Sequence, residues 1–285
     1  MTDYRRYDGI ASFLADWQDR LLARESANNL MLGIALRLQG GHSYSEEPPV
    51  LCGVFDGGRP ALAALMTPPH KLIIHCEDDA ACEGALDRLA SGLAGDGVEL
   101  PGVVGSRDPV GRFAAIWSRR TGRDTQVAMR MRVFELREVK DVPAPPGAAR
   151  RAGEGDLALA VEWAMAFSAE AVENLERERA EKLMRDKLAA GDIWFWEDGG
   201  TVSMAAKARP TVHGCTVNLV YTPPDRRRRG YATALVARLS RELLAEGFAF
   251  CNLFTDLANP TSNSIYMKVG YEPIGDFDDL RFEEA

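Results

Sequence analysis

One segment of the chain combines residue types that could do chemistry. Leu219 to Tyr221 reads as the end of a strand. Thr222-Pro223-Pro224-Asp225-Arg226-Arg227-Arg228-Arg229 is a basic turn, and Gly230-Tyr231-Ala232-Thr233 opens a helix. The first N–H groups of a helix have no partner within it and lie at the positive end of its dipole. An anion placed ahead of them is held without further construction. Gly230 permits a close backbone approach, and Ala232 keeps the next turn small. Arginine adds charge-assisted hydrogen bonds. The chemistry is that of holding a pyrophosphate. A run of four arginines by itself is more often a solvated patch or a partner contact. The strand before it and the amphipathic helix after it favour the anion site.

A second segment follows at fixed distance. Asn259-Pro260 opens a short helix through Ser262 and Tyr266, and Gly270-Tyr271 ends it. Asn259 reads as an N-cap. Tyr266 could donate a proton to a leaving group, and its bland reading is a core tyrosine at helical spacing.

These residues need a scaffold, and the pattern supplies one. The second half reads as α/β. Asp156 can cap a helix through Leu157, Val161, Ala164 and Phe167. A charged helix runs from about Asn174 to Ala190. Ile193–Trp196 and Val202–Ala208 are strands around the turn Asp198-Gly199-Gly200. Cys215–Tyr221 is a strand. Ala232, Leu235, Val236, Leu239 and Leu243 then follow a helical period. Phe248–Thr255 is a continuous apolar strand, and a last strand starts at Tyr271. Trp194 and Trp196 share one strand face and read as core. His213 reads as a turn residue.

Val142–Ala149 holds three prolines and a glycine and reads as a linker. The expected domains are therefore 1–141 and 150–285, joined by 142–149. The first half repeats the order in weaker form. Asp56-Gly57-Gly58 precedes its counterpart at Asp198 by 142 residues. Leu72–His75, Ala80–Ala94, Gly102–Gly105 and Pro109–Arg119 match the later strand, helix, strand and short helix. A duplicated α/β unit is expected.

Composition bounds the function. The chain has 285 residues and a net charge of −8, shared between both halves. Such a field repels polyphosphate backbones and argues against a nucleic-acid partner. No apolar run is long enough to cross a membrane, and no secretory leader is visible. Five scattered cysteines and four scattered histidines give neither a disulfide framework nor a metal site. Reduced, buried thiols in a cytoplasmic chain are expected.

Arg227-x-x-Gly230-x-Ala232 resembles the acyl-CoA-binding signature of the GNAT N-acetyltransferase superfamily, and Asn259 with Tyr266-x-x-x-Gly270-Tyr271 resembles its second motif. The match spans roughly residues 148–285, whose FR47-like character recurs in tandem-GNAT proteins. The resemblance implies a mixed-sheet α/β (α+β) fold, with two GNAT-like domains in tandem and the N-terminal one degenerate. It implies acetyl-CoA as cosubstrate, without a metal, and a primary amine on a small molecule or peptide as acceptor. Backbone of Val220 and Tyr221 would pair with the pantetheine arm, with Thr222 in the same set. Arg227, Arg228, Arg229, Gly230, Tyr231, Ala232 and Thr233 would hold the pyrophosphate. Asn259, with Ser262, would meet the pantetheine, and Tyr266 would stand near the sulfur as general acid.

The resemblance fixes no base. Glu170, Glu173 and Glu197 are the candidates, with Glu170 first. In the first half, Glu77-Asp78-Asp79 stands where the second has its basic loop, and Trp117 stands near the Tyr266 position. Neither suits an acyl-CoA site. A monomer or homodimer is expected. The competing readings are a glycine N-acyltransferase-like enzyme and a non-catalytic acyl-CoA-binding regulatory module.

Overall fold

The computed structural model describes residues 2–78, 82–170 and 175–283. In chain order the first half contains β1 (Thr2–Arg6), α1 (Ile10–Ala23), α2 (Asn29–Gln39), β2 (Val50–Asp56), β3 (Arg59–Met66), β4 (Leu72–Cys76), α3 (Glu83–Gly95), β5 (Gly102–Ser106), α4 (Arg107–Thr121) and β6 (Thr125–Leu136). The second half contains β7 (Ala148–Arg151), α5 (Leu157–Glu170), α6 (Arg177–Ala189), β8 (Ile193–Glu197), β9 (Thr201–Ala208), β10 (Gly214–Tyr221), α7 (Tyr231–Ala245), β11 (Phe250–Asp256), α8 (Pro260–Val269) and β12 (Glu272–Phe282). The order strand, two helices, three strands, helix, strand, helix, strand occurs twice. The duplication extends to pairing. Each half has a parallel pair, β4 with β5 and β10 with β11, beside antiparallel hairpins. The fold is mixed α/β, one unit repeated in tandem.

The chain forms two compact units. One is Met1–Val133 with Thr255–Ala258 and Ile274–Ala285, and the other is Phe134–Phe254 with Asn259–Pro273. Each unit thus takes its last strand residues from the opposite half of the chain.

In the first unit the strands run β1-β2-β3-β4-β5-β12. β12 lies antiparallel on β5, with Leu280 opposite Val103. Its acidic run is held by cations of that unit. Arg132 Nε donates to Asp276 at 2.7 Å, Arg107 Nε donates to Asp278 at 3.0 Å, and Lys71 pairs with Asp279. Leu280 and Phe282 enter its core beside Phe113 and Trp117. The other face is filled by Phe13, Trp17 and Leu21 of α1 and Met31 and Leu32 of α2.

In the second unit the strands run β11-β10-β9-β8-β7. α7 covers one face with Leu235, Leu239 and Leu243, together with Phe134, Leu136, Trp194 and Trp196. α5 and α6 cover the other face, where Trp163, Met184, Phe195 and Met204 meet. The two tryptophans on β8 are core residues, as expected; Trp196 Nε1 donates to the Pro146 carbonyl.

Local boundaries follow local chemistry. Asp156 does not cap α5. It ends a short 3-10 turn, accepts from the Gly153 N–H and is gripped by Arg150. α6 starts at Arg177 behind Glu176; the expected start at Asn174 and the candidate Glu173 lie outside the described residues, as do Asp79 to Ala81. β7 begins at Ala148, inside the proline-rich segment. It is the last strand of its order, where a preceding proline removes no ladder bond.

Candidate active site

β10 carries the site's decisive irregularity. Its pairing with β9 slips by one residue between Asn218 and Tyr221, and Leu219 adopts φ 49°. This is a β-bulge, which re-aims side chains. Leu219 and Tyr221 face α5 and α6, while Val220 packs against the core on the α7 side. On its other edge β10 pairs with β11 through only three residues, Gly214 to Thr216 against Phe250 to Asn252. Among the described residues the β10–β11 ladder ends at Thr216.

The loop after β10 ends at Gly230, which is the N-cap of α7 with φ 87°. That left-handed conformation favours glycine. No side chain caps α7 there, so the N–H groups of Tyr231, Ala232 and Thr233 have no intrahelical partner. Arg228 is also left-handed, at φ 63°. Backbone turned in this way makes anion-binding concavities.

The arginines of the loop are exposed and already organised. Arg227 Nε donates to the Thr222 carbonyl at 2.8 Å, and its guanidinium lies 5.9 Å from the Tyr221 ring centroid. Its Nη2 donates to the Glu170 carboxylate at the end of α5. Arg229 Nη2 donates to the Asp225 carbonyl at 3.3 Å, and Arg226 pairs with the Asp225 carboxylate at 3.1 Å. Tyr231 is buried, and its hydroxyl donates to Asp198 in the β8–β9 turn. That hydrogen bond is the main cause of its raised phenol pKa.

Asn259 caps α8, its Oδ1 accepting from the Ser262 N–H at 3.1 Å. Tyr266 lies one helical turn before Gly270, whose φ of 114° ends the helix. A Cβ at Gly270 would meet the Glu138 carbonyl at 2.9 Å. Tyr266 sits between Phe134 and Tyr271, at centroid distances of 6.3 and 6.0 Å. Its hydroxyl has no hydrogen-bond partner among the described residues. Burial alone pushes its phenol well up, which keeps the proton on the oxygen at neutral pH. Tyr271 differs in having a partner, Ser240 Oγ at 2.8 Å.

Val220, Tyr231 and Tyr266 belong to the apolar core on the α7 side of the sheet. Glu170 and Arg227 form an ion pair on the Tyr221 side. Glu197 is committed elsewhere, to Arg150 and Thr201. His213 lies in the turn before β10, where its carbonyl accepts from the Ala249 N–H. The bulge at Leu219 and the Glu170–Arg227 pair escaped sequence reasoning. A bulge leaves no residue signature when glycine does not mark it, and an ion pair 57 residues apart is nonlocal.

The corresponding position in the first unit is different. β4 ends at Cys76 and is followed by Glu77, which pairs with Arg20 at 3.3 Å and lies 3.6 Å from His75. α3 has Cys82 as N-cap and Glu83 in its first turn. Trp117 is buried in α4 and stacks on Phe113. All five cysteines are buried, and none forms a disulfide among the described residues. No metal-binding group occurs among the described residues, and no helix of the described residues is long and apolar enough to cross a membrane.

The fold is that of GNAT proteins in tandem. The chain is similar over 99% of its length to a GCN5-related N-acetyltransferase from Sphaerobacter thermophilus, covering 95% of that chain at 15% identity and TM-score 0.64. It is similar to a GNAT-family acetyltransferase from Colwellia psychrerythraea, with 99% and 100% coverage, 10% identity and TM-score 0.59. A tandem GNAT protein from the clavulanic acid biosynthesis pathway matches with 100% and 98% coverage, 12% identity and TM-score 0.55. More particularly, residues 197–279 match the family described as FR47-like protein. No curated protein matches the chain.

Proposed function

We propose that the second unit transfers an acetyl group from acetyl-CoA to a primary amine of a small molecule or peptide. The observation that carries this reading is the uncapped, left-handed Gly230 start of α7 behind four arginines. Its free N–H groups and the adjacent guanidinium groups suit a pyrophosphate in charge and geometry. Arg227, Arg228 and Arg229, with the amides of Gly230, Tyr231, Ala232 and Thr233, would hold it. Val220, Tyr221 and Thr222 would offer backbone along the bulged end of β10 to the pantetheine arm. Asn259 and Ser262 would meet the arm from α8.

Acetyl-CoA supplies an activated thioester carbonyl. A backbone N–H at Val220 or Tyr221 would stabilise negative charge developing on its oxygen. As the amine nitrogen bonds to the carbonyl carbon, the C–S bond breaks and the sulfur takes the Tyr266 proton. The amine's surplus proton passes to Glu170 or to water, and solvent restores Tyr266. Pyrophosphate would compete with Glu170 for Arg227, freeing the carboxylate when the donor is bound. The transfer is proposed to be direct, from CoA to the amine within a ternary complex.

The first unit lacks a matching basic loop and a phenol at the Tyr266 position. It is proposed as a GNAT-like relic without its own acetyl-CoA. The chain is proposed to act in the cytoplasm as a monomer or homodimer, without nucleic-acid or membrane partners. Free-thiol release from acetyl-CoA against amino acids, polyamines, aminoglycosides and peptide N-termini tests the activity. Release with at least one class is expected; tight binding without release from any would favour the regulatory module.

A further inference from the structure

Where β10 and β11 stop pairing, two buried polar side chains and a half-buried one share a face of the sheet. Thr216 and Asn252 are opposite each other in the last rung, 1% and 0% exposed. Thr216 Oγ1 donates to Asn252 Oδ1 at 2.7 Å. That bond fixes the amide and leaves Asn252 Nδ2, itself buried, with no hydrogen-bond partner. Asn218, two residues further along the same face, has a buried Oδ1 that is also unpartnered. Its cross-strand neighbour is the small Ala206. The flanking residues Cys215, Val217, Cys251 and Leu253 belong to the apolar cluster on the opposite face. The three polar side chains thus point the other way, toward the face covered by α5 and α6.

An unsatisfied buried donor and an unsatisfied buried acceptor each carry a large desolvation penalty. Such atoms in a native protein call for a water, a ligand or a role in chemistry. The position says which ligand end would reach them. A pyrophosphate at Gly230 lies at the exit of β10, so an extended arm bound along β10 runs back from Tyr221 toward Thr216. With the thioester carbonyl at the Val220 or Tyr221 N–H, an acyl chain that lengthens runs back along β10 toward Asn218 and then Asn252.

We propose that Asn218 and Asn252 form a polar floor to the acyl pocket and select short acyl groups. This rests on the acyl-CoA reading above and goes beyond it by naming the residues that set acyl length. A two-carbon acyl group leaves room for a water that accepts from Asn252 Nδ2 and donates to Asn218 Oδ1. A six-carbon alkyl chain displaces that water and covers both amides without pairing them. A site built on hydrogen bonds rejects an apolar competitor far more strongly than an apolar pocket rejects a missing methylene.

The test is calorimetric binding of CoA, acetyl-CoA and hexanoyl-CoA to the full chain, which needs no acceptor. The wild type should bind acetyl-CoA at least about tenfold more tightly than hexanoyl-CoA. Asn252→Leu, close in volume, should shrink that ratio about tenfold while leaving CoA affinity unchanged. Asn218→Val, at a half-buried position that folding tolerates, should shrink it in the same direction. An unchanged ratio in a folded Asn218→Val variant that still binds CoA overturns the polar floor alone. Failure of the wild type to bind CoA at all overturns both this inference and the acyl-CoA reading.

Discussion

At the scale of single residues, Tyr266 and Glu170 occupy opposite chemical environments. Tyr266 is enclosed by Phe134 and Tyr271 and keeps its proton because burial disfavours the phenolate. Replacing it with phenylalanine removes one oxygen and no packing. Tyr266→Phe should lower kcat by roughly 10²-fold, as for loss of a general acid, with acetyl-CoA affinity nearly unchanged. Steady-state kinetics beside calorimetry separates the two effects. A weakened affinity with intact kcat would make Tyr266 a packing residue only. Glu170 is half-exposed and bound to Arg227. If donor binding frees it to take the amine's proton, Glu170→Gln should lower kcat/KM most at low pH, where fewer acceptor molecules are neutral. A pH profile parallel to the wild type would leave water as the base. The residue identities of this site were legible, because Arg227, Gly230, Asn259 and Tyr266 stand at fixed spacing in local segments. Their partners were not, because Glu170 reaches Arg227 only through the packing of α5 on β10.

At the scale of elements, the site is the junction of β10 and α7. The strand, basic turn and helix were readable from the change of hydrophobic period at Gly230. The bulge was not, since Leu219 is an ordinary strand residue held at φ 49° by its surroundings. A non-glycine residue at Gly230 must also accept a left-handed conformation, here φ 87°. Gly230→Val should cost about 1–2 kcal/mol of stability and weaken CoA binding by more than that strain alone. Thermal unfolding and calorimetry on the same variant measure both. The nearest heavy atom to a Cβ at Gly230 is 4.0 Å away, on Pro145, so the penalty is conformational rather than steric.

At the scale of the whole molecule, the repeat was legible and the passage of β12 into the first unit was not. Period and turn signals are local, whereas the partner of β12 is chosen by contacts more than a hundred residues away. Phe282 fills the core of the first unit and Phe134 that of the second. Phe282→Ala should destabilise the first unit by about 3–5 kcal/mol, although the residue lies in the second half of the sequence. Hydrogen exchange resolved by segment should show the loss in β4 and β5, with β8 and β9 retaining their protection.

The acidic run of β12 adds a pH dependence to that unit. Arg132 and Arg107 hold the Asp276 carboxyl below the usual carboxylate range, chiefly through the Arg132 hydrogen bond. A carboxylate with a depressed folded pKa stabilises fully above its unfolded value of about 3.9. That contribution is lost as pH falls through the folded value. Asp156, held down by Arg150, does the same in the second unit. Asp276→Asn should therefore flatten the acid limb of the first unit's stability below about pH 4, read by denaturant unfolding between pH 2 and 7.

The central claim is that two units of one design carry a single acyl-CoA site, built on Gly230 and its arginines. The first unit offers Glu77 and Asp78 after β4, where the second offers Arg226 to Arg229 after β10. Calorimetric titration of the full chain with acetyl-CoA tests this most directly. One molecule per chain is expected, with binding weakened at least about tenfold in Gly230→Val. Two molecules per chain, or one whose affinity Gly230→Val leaves untouched, would contradict the account.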